Sequence, residues 1–224
     1  MRNMYIASIK KHGHMKYISH LDMIRLFRSA FKIAGVRLVY SKGFNPHPKM
    51  SFALPLPLGY SSDCEILEFE IKERLEPGKI KDDMNAILPE GIAITECKAT
   101  EEEKSAAATV IGAAYEIYLP AGKTGERPVS ELTDGFLKQD EITAVKTQKK
   151  TGKKKETDIK KMIKSLGAET TENGVILYAD LDAGSSSNLS PELLIAAFLT
   201  FTGFDIKREE IDVKRTGLFL KHSI

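Results

Sequence analysis

The sequence predicts an α+β protein of two tandem ferredoxin-like (βαββαβ) domains, with antiparallel sheets and an insertion between the second and third strands of each. Three observations carry this expectation. Stretches that alternate apolar and polar residues, as strands do, are separated by stretches with the three-to-four-residue apolar spacing of helices. The order β-α-β, insertion, β-α-β then occurs twice along the chain. Finally, 224 residues with 42% hydrophobic and 29% charged content can bury cores without metals or disulfides.

The first domain is expected over 1–100. A strand over 4–10 alternates, and Ser19 then caps a helix with Asp22 placed to bond back to it. That helix runs to about Ala34 and stops at Gly35, a favoured terminator. The β-branched and aromatic stretch 36–40 predicts a second strand. A Gly/Pro-rich insertion follows over 41–63, in which 51–54 has the pattern of a short pairing segment. Strand 64–71, helix 77–88 and strand 92–97 complete the set. An acidic and alanine-rich linker is expected over 101–112.

The second domain, over 113–224, repeats the order. Strand 115–119, helix 129–138 and strand 142–146 precede a Lys-rich insertion over 147–174. Within the insertion the pattern predicts a short helix near 158–165 and a hairpin turned at Asn173-Gly174. Strand 175–181 follows. A helix starting at Ser190-Pro191-Glu192 has a body over 193–199 that is apolar on every side, which predicts full burial. Strand 211–220 closes the chain.

Several function classes lose ground at once. No apolar run approaches the roughly 20 residues a membrane span needs, so no membrane partner is expected. The first residues lack the apolar core and cleavage site of a secretory leader. With only Cys64 and Cys97, there is no disulfide framework, and a reducing cytoplasm is the expected compartment. Two cysteines in apolar, strand-like surroundings read as small core residues. Gly-rich phosphate loops are absent, and the residues imply no cofactor.

Charge is segregated. Residues 1–50 hold ten Lys/Arg and one acid, 51–145 nine bases and nineteen acids, and 146–164 nine bases and two acids. On the first helix Arg25, Arg28 and Lys32 share one strip at i, i+3, i+7. The loop after it, Tyr40-Ser41-Lys42-Gly43-Phe44-Asn45-Pro46-His47-Pro48-Lys49, combines cations, an aromatic, an amide and an imidazole. Pro46 and Pro48 limit its backbone freedom. Lys42 and Lys49 suit phosphates, while Phe44, Asn45 and His47 suit exposed bases. The second block is centred on Lys149, Lys150, Lys153, Lys154 and Lys155, an arm for a polyanion. Lysine there favours the phosphate backbone over base readout. Two basic insertions in equivalent slots could line one groove. Each feature also has a bland reading, as a solvated face, a rigid turn or a solvated ribbon.

Histidines raise an enzymatic alternative. His12-x-His14 on strand-like backbone would point both rings to one face, but no further metal ligand is at hand and no metal site is expected. A metal-independent endoribonuclease could pair His47 with His20 or His14, since imidazoles titrate near neutrality. Neither pair need converge in the fold.

The runs Lys16-Tyr17-Ile18-Ser19-His20-Leu21-Asp22, Tyr40 to Pro48, and Ser51-Phe52-Ala53-Leu54-Pro55-Leu56-Pro57-Leu58-Gly59 resemble the bacterial radical SAM-linked protein family. The resemblance is strongest through about residue 75 and extends over the chain. It implies a radical SAM protein as partner rather than a reaction. No Cys-x-x-x-Cys-x-x-Cys is present, so that enzyme would be a separate polypeptide. The expectation is a cytoplasmic, non-catalytic RNA-binding module that presents RNA to a radical SAM modification enzyme. The alternatives are the endoribonuclease and a protein adaptor that docks its partner through the segment 54–58 without touching RNA.

Overall fold

The computed structural model describes residues 2–102, 104–124, 128–147 and 154–221, with side chains left out at 146, 147, 154 and 155. The chain divides into two compact units, Met1–Val110 with Leu220–Ile224, and Ile111–Phe219. Both are mixed α+β, with few helices on antiparallel sheets.

In the first unit β1 (Asn3–Lys11), α1 (His20–Ile33), β2 (Met50–Phe52), β3 (Ser61–Ile71), α2 (Pro77–Asn85) and β4 (Ile92–Thr100) follow one another. The strands lie in the order β4-β1-β3, with β2 on the other edge of β3, and each pairing is antiparallel. Alternation on β1 turns Tyr5, Ala7, Ile9 and Lys11 to one face, opposite Phe69, Leu67, Glu65 and Ser62 of β3. Phe27 and Phe31 of α1 and Ile80 and Met84 of α2 pack on that face. The Phe31 and Phe69 rings are 4.7 Å apart, and truncating either to alanine would destabilise the unit by about 3–5 kcal/mol. As expected, Ser19 caps α1: its Oγ accepts the Asp22 N–H at 3.2 Å and donates to the Asp22 carboxylate at 2.6 Å.

The stretch 36–40 does not form the expected strand. Arg37 and Val39 exchange main-chain hydrogen bonds with Lys72 and Glu70 at the end of β3, but Tyr40 then turns to bridge Pro48. Pairing with β3 resumes only at Lys49, whose carbonyl accepts the Glu70 N–H at 2.9 Å, and continues through β2. The proline-bearing stretch 40–48 is therefore an excursion out of an edge strand, because prolines cannot donate to a ladder. The rest of the expected insertion folds back on the unit: Phe52, Ala53, Leu56 and Tyr60 are buried.

The second unit begins after α3 (Ala106–Thr109), a single turn, and uses β5 (Val110–Pro120), α4 (Val129–Lys138), β6 (Thr143–Thr147), β7 (Lys154–Asp158), β8 (Ile163–Thr171), β9 (Gly174–Asp182), α5 (Pro191–Thr202) and β10 (Asp212–Leu220). Its sheet runs β10-β5-β9-β8, while β6 and β7 pair only with each other. The hairpin at Asn173-Gly174 joins β8 to β9 as expected. The expected helix near 158–165 is instead one 3-10 turn (Lys160–Met162) running into β8, where Ile163 and Leu166 are buried against the sheet. Burial overrides the local Lys-rich helix preference here. Helix α5 is also less enclosed than its composition suggests. Leu194, Ile195 and Phe198 are buried, but Ala196 is exposed, so it presents one face to the core and one to solvent.

Candidate nucleic-acid interface

The excursion 40–48 is closed at its base by backbone and side chain together. The Ser41 N–H donates to the His47 carbonyl at 2.8 Å, and the His47 N–H donates to Ser41 Oγ at 3.0 Å. Gly43 at the tip has φ +129°, a conformation L side chains rarely adopt, so a residue without Cβ is required there. Lys42, Phe44 and Asn45 are exposed at this tip and His47 at the base, and Phe44 is 106% exposed. A phenyl ring left in water forgoes roughly 1.5–3 kcal/mol of burial. Packing therefore does not explain it, whereas stacking on a base would. Lys42 makes no ion pair with another described residue.

Lys49 behaves differently. Its ammonium lies 2.7 Å from the Glu70 carboxylate, whose side chain is 11% exposed. It sits on the sheet edge rather than at the tip. On α1, Arg25, Arg28 and Lys32 are exposed as the spacing predicted, and Arg25 is held by Asp22 at 2.9 Å. Arg28 and Lys32 have no ion pair among the described residues. Of the second block, Lys149, Lys150 and Lys153 lie outside the described residues. Lys154 and Lys155 open β7, opposite Thr147 and Lys146 of β6.

The histidines do not meet. His12 follows β1 and binds Asp63 at 2.8 Å, and His14 is exposed in the 3-10 turn Gly13–Tyr17, so the strand needed to align them stops at Lys11. His20 packs its ring edge on Phe52 at 5.8 Å, and His47 is at the base of the excursion, hydrogen-bonded to Ser41. No contact joins His47 to His20 or His14, and no cluster of three metal-ligating side chains occurs among the described residues. Both cysteines are half-buried rather than fully so, and burial pushes the Cys97 thiol up to about 11. In the segment 54–58 Leu56 is buried, while Pro55, Pro57 and Leu58 are exposed.

Two polar clusters escaped the sequence reading. Lys11 is 1% exposed and donates to the carbonyls of Ile18 at 3.0 Å and Lys16 at 3.4 Å. Burial lowers its pKa, and the nearby charge of Glu65, itself hydrogen-bonded by Ser62 at 2.7 Å, partly restores it. The signal was available, since Lys11 continues the alternation of Tyr5, Ala7 and Ile9. The second cluster, Glu68 and Glu70, occupies the opposite face of β3 and is 7% and 8% exposed. No helix of the described residues is long and apolar enough to cross a membrane.

Among solved structures, a chain of the Cbf5-Nop10-Gar1 complex is similar over 96% of this chain and 48% of its own, at 11% identity and a TM-score of 0.47. This chain thus spans about half the length of that one. An unknown protein from Galdieria sulphuraria is similar over 96% of this chain and 99% of its own, at 12% identity and a TM-score of 0.27. Neither likeness is strong enough to carry an argument. No curated protein matches the sequence. A family pattern does match, over residues 4–191, and the chain belongs to that family, described as an uncharacterized protein conserved in bacteria (DUF2344).

Proposed function

We propose that this protein is a cytoplasmic RNA-binding module, non-catalytic itself, that presents RNA to a separate radical SAM enzyme. The observation that carries the RNA contact is Phe44: wholly exposed, on a loop fixed at its base, with Lys42, Asn45 and His47 beside it. A stiff loop loses little entropy on binding, and an exposed ring offers a base a stacking platform. Lys42 supplies phosphate attraction, with Arg28 and Lys32 of α1 and the Lys149–Lys155 arm adding charge. The radical SAM partner is supported by the resemblance at 16–22, 40–48 and 51–59 alone. We also read each unit as ferredoxin-like. Supporting this, the strand orders β4-β1-β3-β2 and β10-β5-β9-β8 are what a βαββαβ repeat gives when the edge strand of the second unit is β8.

Fluorescence anisotropy with a labelled RNA hairpin tests the reading. The wild type should bind with affinity that falls steeply as salt rises. Lys42→Glu should weaken binding and flatten the salt slope by about one. A Phe44→Ala variant that binds as tightly as wild type would show the loop assignment to be wrong.

A further inference from the structure

The sheet of the first unit has a second face, turned away from α1 and α2, and it is hollow. A groove of about 890 Å³ lies there, with Arg2, Lys49, Ser51, Glu68, Glu70 and Arg74 among its lining residues. That volume is in the range of small-molecule sites.

The two carboxylates in it are two positions apart on β3 and share a face, yet their surroundings differ. Glu70 is neutralised by Lys49 at 2.7 Å. Glu68, 7% exposed, has no cation among the described residues. Its one hydrogen bond there is a long one, from the Ala106 N–H at 3.4 Å. Buried carboxylates are normally paired, because an uncompensated charge is costly to remove from water. Glu68 is thus a nine-tenths-buried acceptor lining an open cavity, with most of its bonding capacity unused.

We propose that the groove binds a small organic cation, with a primary ammonium or guanidinium group seated against Glu68. Ser51 lies directly opposite Glu68 on β2 and is small and exposed, which leaves the approach open. Met4, directly opposite Glu70 on β1 and so on the same face, provides apolar wall for the ligand's carbon chain. The groove is distinct from the loop tip, so this site and the RNA contact stand or fall separately.

Methionine methyl NMR reads the site directly, because Met4 is on the groove face opposite Glu70 while Met23 and Met84 are buried in the core on the other face. Titration of the full-length protein with putrescine or agmatine should shift the Met4 signal saturably and leave Met23 and Met84 unmoved. Uncharged 1,4-butanediol should not. Glu68→Gln should weaken binding by about tenfold or more, the loss expected for a charge-assisted hydrogen bond. Ser51→Gln, at an exposed position, should weaken it equally by filling the approach, and it decides the matter if Glu68→Gln disturbs the fold. Absence of a saturable shift with both amines, or a shift that survives both substitutions, would overturn the proposal.

Discussion

Lys11 and Lys42 belong to the same basic block of the sequence and to the same unit of the fold, yet the structure gives them opposite tasks. At the end of the packed sheet face, Lys11 is enclosed and its ammonium is bound to main-chain carbonyls. At the tip of the excursion, Lys42 stands in solvent beside an unpacked aromatic ring. Lys49 falls between them, half-exposed and paired with Glu70. A charge count treats all three alike. Burial and the direction of nearby carbonyls separate a lysine that holds the fold from one that is available to a polyanion.

The sharpest way to break this comparison is Lys11→Met, which keeps the aliphatic stem and removes the charge. It takes the charge of Lys11 away from buried Glu65 and removes the donor to two main-chain carbonyls, so denaturant unfolding should show a loss on the order of 3 kcal/mol. RNA affinity measured on the remaining folded protein should be unchanged. Phe44→Ala should do the reverse. Removal of a stacking platform is worth about 1–3 kcal/mol, so RNA affinity should fall about tenfold while the melting temperature stays the same. Lys49→Ala sharpens the middle case. It leaves Glu70 without its cation and should lower stability by about 1 kcal/mol, with a smaller effect on RNA affinity than Lys42→Glu.

The smallest effect concerns Glu68. Burial pushes its carboxyl up from the usual range, with the Ala106 N–H pulling the other way. The folded chain therefore holds that proton more tightly than the unfolded chain does. Stability then falls as pH rises from the ordinary glutamate value through the raised one. Arg2, Lys49, Glu70, Arg74, Glu101 and Glu102 line the same groove and set the background against which it titrates. Glu68→Gln cannot ionise, so it should melt slightly higher than wild type at neutral pH and at the same temperature below the usual carboxylate range. Thermal melts across pH check this.

What the sequence made legible was local. The Ser19 cap, the Gly35 stop, the alternation of β1 and β3 and the Asn173-Gly174 hairpin each follow from interactions between residues close along the chain. The loop tip was legible for the same reason, since Pro46 and Pro48 restrict their own surroundings. The misreadings have a common cause. At 36–40 a good strand sequence is interrupted because the prolines beyond it cannot continue the ladder. At 163–165 a Lys-rich stretch becomes a strand because β9 offers it a partner, Ile163 lying opposite Leu181. Glu68 and Glu70 were missed because glutamates on the sheet face turned away from the core read as ordinary surface charge. Only the neighbouring strands reveal which face they occupy.

The central claim is that RNA meets this protein at the tip of the excursion, and photo-crosslinking tests it most directly. A 4-thiouridine-labelled RNA hairpin, irradiated with the full-length protein and digested for mass spectrometry, should yield crosslinked peptides covering 42–47, with Phe44 as the principal site. Efficient crosslinks confined to other segments, with 42–47 unmodified, would contradict the account.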